Sequence, residues 1–193
     1  MGLGANLGDA PATLEAAVRA LTALPGSRLR GVSRLYVTAP VGVVDQPPFH
    51  NAVTAIDVPA GTTPAAGASV LLAALKQLER SFGRGAGVRW GPRELDLDLL
   101  VFGRARLDIA RRPGGESNDP ARTGLTLVVP HRDAARRLFV LAPLADLAAG
   151  LVPPGWPERV ATARDRQARA EGDDAARPVA RWDPASGWRP IGS

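Results

Sequence analysis

The chain contains two long segments whose apolar residues recur every three or four positions, the spacing of an amphipathic helix. The first begins at Pro11 and ends at Pro25-Gly26, and the second spans residues 63–82. The apolar stripes consist of Leu14, Val18, Leu21 and Leu24 in the first segment and of Leu71, Leu75, Leu78 and Phe82 in the second. A shorter helix is expected near residues 143–148. These stripes predict helices that pack on a common core.

Several shorter segments have the β-branched and aromatic residues, or the alternating pattern, that are typical of strands. They cover residues 28–38, 49–58 and 95–99. Residues 107–109 are expected to pair with residues 125–129 as a hairpin. The order of helices and strands predicts an α+β fold, a ferredoxin-like sandwich in which helices pack on an antiparallel sheet.

The composition of the chain limits its chemistry and its location. The chain has 193 residues, of which 45% are hydrophobic, and this is enough for one well-buried core. It has no cysteine, which excludes a disulfide framework, a zinc–thiolate site and a cysteine nucleophile. No segment approaches the ~18 apolar residues of a membrane span, and the N-terminus lacks the pattern of a secretion signal. We expect one domain with a tail, located in the cytoplasm.

The net charge of +5 comes from arginines that are concentrated in two segments. Residues 80–93 include four arginines and no acid, and residues 104–137 include eight arginines. The guanidinium group suits two-pronged contacts with phosphate. The whole chain is biased towards Ala, Arg, Gly and Pro, however, and this bias explains most of the choice of arginine. The positions of the arginines are therefore more informative than their number.

Residues 88–103 join a basic turn to an acidic strand. In the strand, the period of two places Asp96 and Asp98 on one face and the intervening leucines on the other. Two carboxylates held in this way can bind one or two Mg²⁺ ions and leave the other coordination positions to water and polyphosphate oxygens. A solvated outer face is the alternative interpretation of the pair.

Directly before this strand, Arg89 and Arg93 flank Trp90, so two phosphate donors and an aromatic ring lie in one turn. Such a turn is ordinary by itself. Joined to the strand, it reads Arg-Trp-Gly-Pro-Arg-x-Leu-Asp-Leu-Asp-Leu-Leu, which closely resembles the signature of the 6-hydroxymethyl-7,8-dihydropterin pyrophosphokinases of folate biosynthesis. The resemblance covers residues 1–155, the expected pterin pyrophosphokinase domain, and leaves residues 156–193 as a C-terminal tail of unknown role.

The resemblance implies a reaction and a set of site residues. ATP would give its β,γ-pyrophosphoryl group to the hydroxymethyl group of the pterin, and this would form the pterin diphosphate and AMP without a protein nucleophile. Asp96 and Asp98 would hold two Mg²⁺ ions, and Arg84 and Arg93 would act beside them in catalysis. The pterin would be bound by Thr38, Ala39, Val41, Phe49, Asn51, Trp90 and Phe139. ATP would be bound by Leu72, Glu79, Arg89, Arg93, Leu99, His131, Arg132 and Arg137.

The residues alone also allow structural interpretations of these positions. Phe49 and Asn51 share one strand face, where Phe49 could belong to the core and Asn51 could be a polar residue near the strand end. An aromatic ring beside an amide equally suits a flat heterocycle. A lone histidine such as His131 is more often structural than catalytic, and Glu79 could be a surface charge on its helix.

Residues 1–9 contain a glycine-rich turn before the first helix. Members of the resembled family have a β-strand directly before this turn, whereas only residues 1–3 precede it here. We therefore expect the first strand to be missing from this chain, so that either the natural start lies upstream or a central row of backbone groups is unpaired. In the tail we expect a helix over residues 158–171, and residues 178–193 are either loose or packed by their tryptophans.

Two alternative functions are open. A basic ferredoxin-like module that binds RNA would need exposed aromatic residues on its strands, and the sequence offers no such pair outside the proposed pocket. A noncatalytic, degenerate relative would account for the missing strand and for the long insertion at residues 104–124. Our expectation is a monomer that acts on ATP and 6-hydroxymethyl-7,8-dihydropterin, with no membrane or nucleic-acid partner.

Overall fold

The computed structural model describes residues 1–40, 45–83, 92–110 and 126–192. The helices in these ranges are α1 (Ala10–Thr22), α2 (Pro64–Ser81), α3 (Leu138–Ala148) and α4 (Val160–Glu171). The strands are β1 (Gly2–Ala5), β2 (Arg28–Val32), β3 (Leu35–Thr38), β4 (Phe49–Asp57), β5 (Asp96–Asp98), β6 (Leu107–Ala110), β7 (Thr126–Val129), β8 (Ala176–Asp183) and β9 (Gly187–Pro190). None of these helices is long and apolar enough to cross a membrane.

The main sheet in the described part of the chain has the strand order β5-β1-β4-β3-β8-β9, and β2 pairs with β4 beyond the end of β3. Each neighbouring pair is antiparallel. Strands β6 and β7 form a separate two-stranded sheet, in which Leu107 pairs with Val129 and Ile109 with Leu127. The expected combination of helices with an antiparallel sheet is therefore confirmed, and so is the expected hairpin. The tip of the hairpin, residues 111–125, lies outside the described residues.

The prediction that the first strand is missing is wrong. Strand β1 lies between β4 and β5, so it has a hydrogen-bonded neighbour on each side. It is formed by part of the glycine-rich stretch, which was predicted to be a turn because glycine allows a positive φ. Glycine also has a low propensity for strands. The two partner strands compensate for that low propensity, and Leu3 is buried in the core.

The two faces of the sheet are covered by different helices. Leu3 and Leu97 belong to the hydrophobic cluster that includes the apolar residues of α1 and α2. Val53 and Leu100 belong to a second cluster, which includes Leu144 of α3 and Val160 of α4. Because side chains alternate along a strand, β4 contributes Ala52 to the first cluster and Val53 to the second.

The two predicted long helices are stabilised by N-terminal caps and by burial of their apolar residues. Asp9 caps α1 by accepting a hydrogen bond from the N–H of Ala12 at 3.1 Å, and Thr63 caps α2 in the same way. Leu14 is fully buried, and its replacement by alanine would lower the free energy of unfolding by about 2–5 kcal/mol.

Helix α3 begins five residues earlier than expected and includes Pro143.

Residues 156–192 complete the sheet instead of extending away from it. The expected helix over residues 158–171 is present as α4, and β8 pairs with β3. Trp182 and Trp188 contact each other edge to face, with ring centroids 4.8 Å apart. Of the two forms expected for residues 178–193, packing by tryptophans is therefore the one observed over the described residues.

Candidate active site

A cavity of about 220 Å³ lies on the face of the sheet that α3 covers. Strands β1, β3, β4 and β5 contribute to its floor, and residues 131–140 contribute to the opposite side. It brings together ten of the residues predicted for the site, namely Thr38, Ala39, Phe49, Asn51, Arg93, Asp96, Asp98, His131, Arg137 and Phe139. Both carboxylates, the amide and the basic side chains therefore share one cavity.

Asp96 and Asp98 lie on one face of β5, as the alternation of the sequence predicted. Leu97 between them is fully buried on the other face. Asp96 pairs with Gly4 of β1, and Asp98 pairs with Gly2. The residue beside each carboxylate in the sheet is therefore a glycine, which has no side chain to fill the cavity. This geometry leaves space next to both carboxylates for a cation and for ligand oxygens.

Arg93 contacts the first of these carboxylates. Its Nη1 atom donates a hydrogen bond to Oδ2 of Asp96 at 2.5 Å, and both side chains line the cavity. A guanidinium group beside a carboxylate neutralises part of its charge while it keeps donors for a phosphate.

The backbone of Arg93 is held by Asn6, a residue that the sequence analysis did not single out. The N–H of Arg93 donates to Oδ1 of Asn6 at 2.7 Å, and the N–H of Asn6 donates to the carbonyl of Arg93 at 3.0 Å. The amide nitrogen of Asn6 donates to Gln46 and to the carbonyl of Pro47, each at 3.0 Å. Asn6 is 4% exposed and therefore connects two loops from inside the protein. No local sequence pattern could show this, because Asn6 and Arg93 are 87 residues apart.

The opposite end of the cavity combines an amide with aromatic rings. Asn51 is buried, and its Nδ2 atom donates to Oγ1 of Thr38 at 2.8 Å. This bond fixes the amide plane and leaves its carbonyl and its second N–H able to bind a ligand. Phe49 and Phe139 line the same cavity. A flat heterocycle with both donors and acceptors on its edge fits such a set of groups.

The segment after β7 supplies the third group of lining residues. The N–H of His131 donates to the carbonyl of Leu100 at 2.9 Å, which fixes the histidine beside β5. The N–H of Asp133 donates to Nδ1 of His131 at 3.3 Å, so Nε2 is the nitrogen that carries the proton of the neutral ring. Arg137 lies at the N-terminal cap of α3. Asp133 also lines the cavity, although no sequence pattern had marked it as a site residue.

Helix α3 is fixed to the sheet by a partly buried polar contact. The hydroxyl of Tyr36 donates to Asp146, and Nη2 of Arg34 donates to the same carboxylate at 2.6 Å. Burial raises the pKa of Tyr36 above its ordinary value, so its hydroxyl stays protonated and able to donate. The contact holds the helix that carries Phe139 against β3.

Four of the other predicted residues, all in the described part of the chain, do not line this cavity. Leu72 and Leu99 are buried in the cluster on the opposite face of the sheet, and Glu79 is buried beside Leu97. Arg132 is exposed. Contact of these four residues with a nucleotide stays a prediction. Val41, Arg84, Arg89 and Trp90 lie outside the described residues.

Comparison with known proteins decides the family. Residues 1–149 match the model of the 7,8-dihydro-6-hydroxymethylpterin-pyrophosphokinase family. The chain belongs to this family. The 2-amino-4-hydroxy-6-hydroxymethyldihydropteridine pyrophosphokinase of Pseudomonas aeruginosa is 42% identical over 149 residues, which cover 77% of this chain and 79% of the relative. The enzyme of the same name from Methylorubrum extorquens is 39% identical over 164 residues, 85% of this chain and 90% of the relative.

Solved structures agree with the family at the level of the fold. A crystal structure of Plasmodium falciparum HPPK-DHPS with pteroate matches with a TM-score of 0.70 at 13% identity. The match covers 98% of this chain and 47% of the other, so this chain spans about half the length of that protein. Membership of the pyrophosphokinase family does not favour the two alternatives, an RNA-binding module and a noncatalytic relative.

Proposed function

We propose that this chain transfers pyrophosphate from ATP to 6-hydroxymethyl-7,8-dihydropterin and so forms the pterin diphosphate and AMP in folate biosynthesis. One observation carries the proposal. In a chain of this family, the buried amide of Asn51 and the paired carboxylates of Asp96 and Asp98 open into the same cavity. The curated relatives named above carry the name of this activity.

At the pterin end, Asn51 would read the amino-pyrimidinone edge of the ring. Its amide both donates and accepts, and the hydrogen bond that it donates to Thr38 fixes which way it points. Phe49 and Phe139 would contact the faces of the ring. The backbone of Thr38 and Ala39 completes this end, while Val41 and Trp90 stay predictions from the resemblance.

At the phosphate end, the protein offers too few ligands to enclose a metal alone. Among the described residues no group of three or more His, Cys, Asp or Glu side chains could hold a metal ion. Mg²⁺ usually keeps several waters and binds through one or two carboxylates together with substrate phosphates, which fits Asp96 and Asp98. We propose that these two residues hold two Mg²⁺ ions. Bound there, the ions would neutralise phosphate charge.

The reaction would then depend on positioning. The hydroxymethyl oxygen of the pterin attacks the β-phosphorus of ATP, the bond to the α-phosphate oxygen breaks, AMP leaves and the hydroxyl proton is released. Arg93 beside Asp96 would bind the transferred group and the leaving group through its forked donors. His131 and Arg137 would bind the triphosphate from the other side of the cavity. The resemblance implies that Arg84 acts in catalysis and that Arg89 binds ATP, and both roles stay predictions.

We infer that the strands β1 to β5, with α1 and α2, form a ferredoxin-like unit, and the order β5-β1-β4-β3 supports this. Residues 1–155 would form the catalytic domain, and residues 156–192 would stabilise it by pairing β8 with β3. The protein would act as a cytoplasmic monomer without a nucleic-acid partner.

Product analysis of the purified chain tests the function. With Mg-ATP and the pterin we expect AMP and pterin diphosphate in equal amounts, and no AMP when either the pterin or Mg²⁺ is left out. Asn51→Ala should weaken pterin binding about tenfold or more, because a buried polar contact is lost, and should leave binding of an ATP analogue nearly unchanged. AMP formation that does not need the pterin, or equal losses for both ligands, would contradict the proposal.

A further inference from the structure

Strand β5 is short, and among the described residues its only partner strand is β1. Its three residues include both Asp96 and Asp98. A strand of this length has few backbone hydrogen bonds to fix its position, and any unpaired backbone group in a buried place costs free energy. The peptide groups of Leu97 lie midway between the two carboxylates, so their partners control the position of both.

Two charged side chains of α2 bind these peptide groups. The N–H of Leu97 donates to Oε1 of Glu79 at 2.7 Å, and Nζ of Lys76 donates to the carbonyl of Leu97 at 3.3 Å. Lys76 also donates to Oε1 of Glu79 at 2.7 Å. On this side of β5, the two side chains thus make the hydrogen bonds that a neighbouring strand would otherwise make.

Both side chains are buried to an extent that is unusual for charged residues. Glu79 is 0% exposed and Lys76 is 7% exposed. A buried ion pair gives little net stability, and a well-packed apolar pair can replace it at no loss. An apolar pair could not bind the N–H and the carbonyl of Leu97, however, and would leave both unsatisfied. The charged pair is therefore needed for its hydrogen bonds with the backbone of β5 and not for packing in the core.

We propose that Lys76 and Glu79 are positioning residues which hold β5 at Leu97 and so fix Asp96 and Asp98 for binding of the metal–nucleotide complex. The inference rests on the proposed function of the two aspartates. Metal ligands must be held by surrounding groups within about 0.5 Å of the productive geometry. Glu79 acts on the far face of the strand from the cavity, and its contact with the nucleotide is not required for this role.

Two double variants separate the backbone hydrogen bond from the charges. Lys76→Met with Glu79→Gln removes both charges but keeps an oxygen that can accept from the N–H of Leu97. Lys76→Met with Glu79→Leu removes both charges and that acceptor. The variants differ only at residue 79, in a side chain of similar size, so each serves as the matched control of the other.

The measurement is Mn²⁺ binding in the presence of a nonhydrolysable ATP analogue, followed by electron paramagnetic resonance, together with pterin affinity. The leucine variant should bind Mn²⁺ about tenfold or more weakly than the glutamine variant, the range seen when a partner of a metal ligand is lost. Pterin affinity should differ by less than about twofold, because its groups lie on other strands. Equal Mn²⁺ affinities in the two variants would overturn the proposal.

Hydrogen exchange of the unaltered chain tests the same point without any substitution, should the leucine variant fail to fold. The Leu97 amide should be protected before metal or nucleotide is added, because its acceptor is already in place. Rapid exchange of this amide would contradict the proposal. If the chain bound Mn²⁺ as expected but released no AMP, the proposed function would fail while the positioning role stood.

Discussion

Asn51 and Asp96 pair with the same residue, Gly4 of β1, from opposite sides. Directly paired residues point to the same face of a sheet, so the amide and the carboxylate lie in one row across three strands. Their Cα atoms are about 10 Å apart if two strand spacings of 4.7–4.9 Å are added. The sheet itself therefore sets the distance between the proposed pterin contact and the proposed metal contact.

Gly4 should control the space between these two groups. A Cβ atom at this position would lie 3.1 Å from Oδ1 of Asn51, closer than an ordinary contact. We expect Gly4→Ala to weaken pterin binding about tenfold, because the methyl group displaces the amide or the ring. Calorimetric titration with the pterin measures this.

Gly150→Ala is the control for this substitution, because no atom lies within 4 Å of the position of its Cβ. That variant should bind the pterin like the unaltered chain. If Gly4→Ala bound the pterin equally well, the ring would not lie over β1.

Asn6 should matter for catalysis although it lies outside the cavity lining. Asn6→Ala removes the acceptor for the N–H of Arg93 and the donor to Gln46 and Pro47. The loss should cost about 1–3 kcal/mol of unfolding free energy, since buried partners become unsatisfied. The rate of AMP formation should fall more than the folded fraction explains, because Arg93 loses its fixed position.

Asn6→Asp separates the two effects. Aspartate keeps an acceptor for Arg93 and loses the donor to residues 46 and 47, so it should retain more of the rate than alanine does. Stopped-time assays at saturating ATP and pterin compare them. Equal rates for Asn6→Ala and the unaltered chain would show that Asn6 does not position Arg93.

His50 should make the stability depend on pH. Burial lowers the pKa of His50 below its ordinary value of 6.5, and the nearby charge of Asp9 opposes this with a smaller effect. The unfolded chain therefore binds more protons than the folded chain just below pH 6.5, and stability falls as the pH decreases through this range. Urea midpoints between about pH 7.5 and pH 5 measure the slope, and His50→Gln should make it shallower. An unchanged slope in that variant would contradict this assignment.

The sequence predicted the features that depend on local pattern. The period of two placed Asp96 and Asp98 on one face, and the apolar stripes marked α1 and α2. It did not predict β1, because the glycines that favour a turn are compensated by partner strands about 50 and 95 residues away. The roles of Asn6 and Lys76 were missed for the same reason, since each binds the backbone of a distant segment.

The proposed metal site depends most directly on the carboxylate of Asp98. The decisive measurement is the rate of Mg²⁺-dependent AMP formation by Asp98→Ala, with Asp108→Ala, an exposed aspartate on another strand, as the control. We predict a loss of about 100-fold or more for Asp98→Ala, because the group that helps to neutralise phosphate charge is removed, with an unchanged circular dichroism spectrum and full activity in the control. Undiminished turnover in a folded Asp98→Ala protein would contradict the proposed metal site.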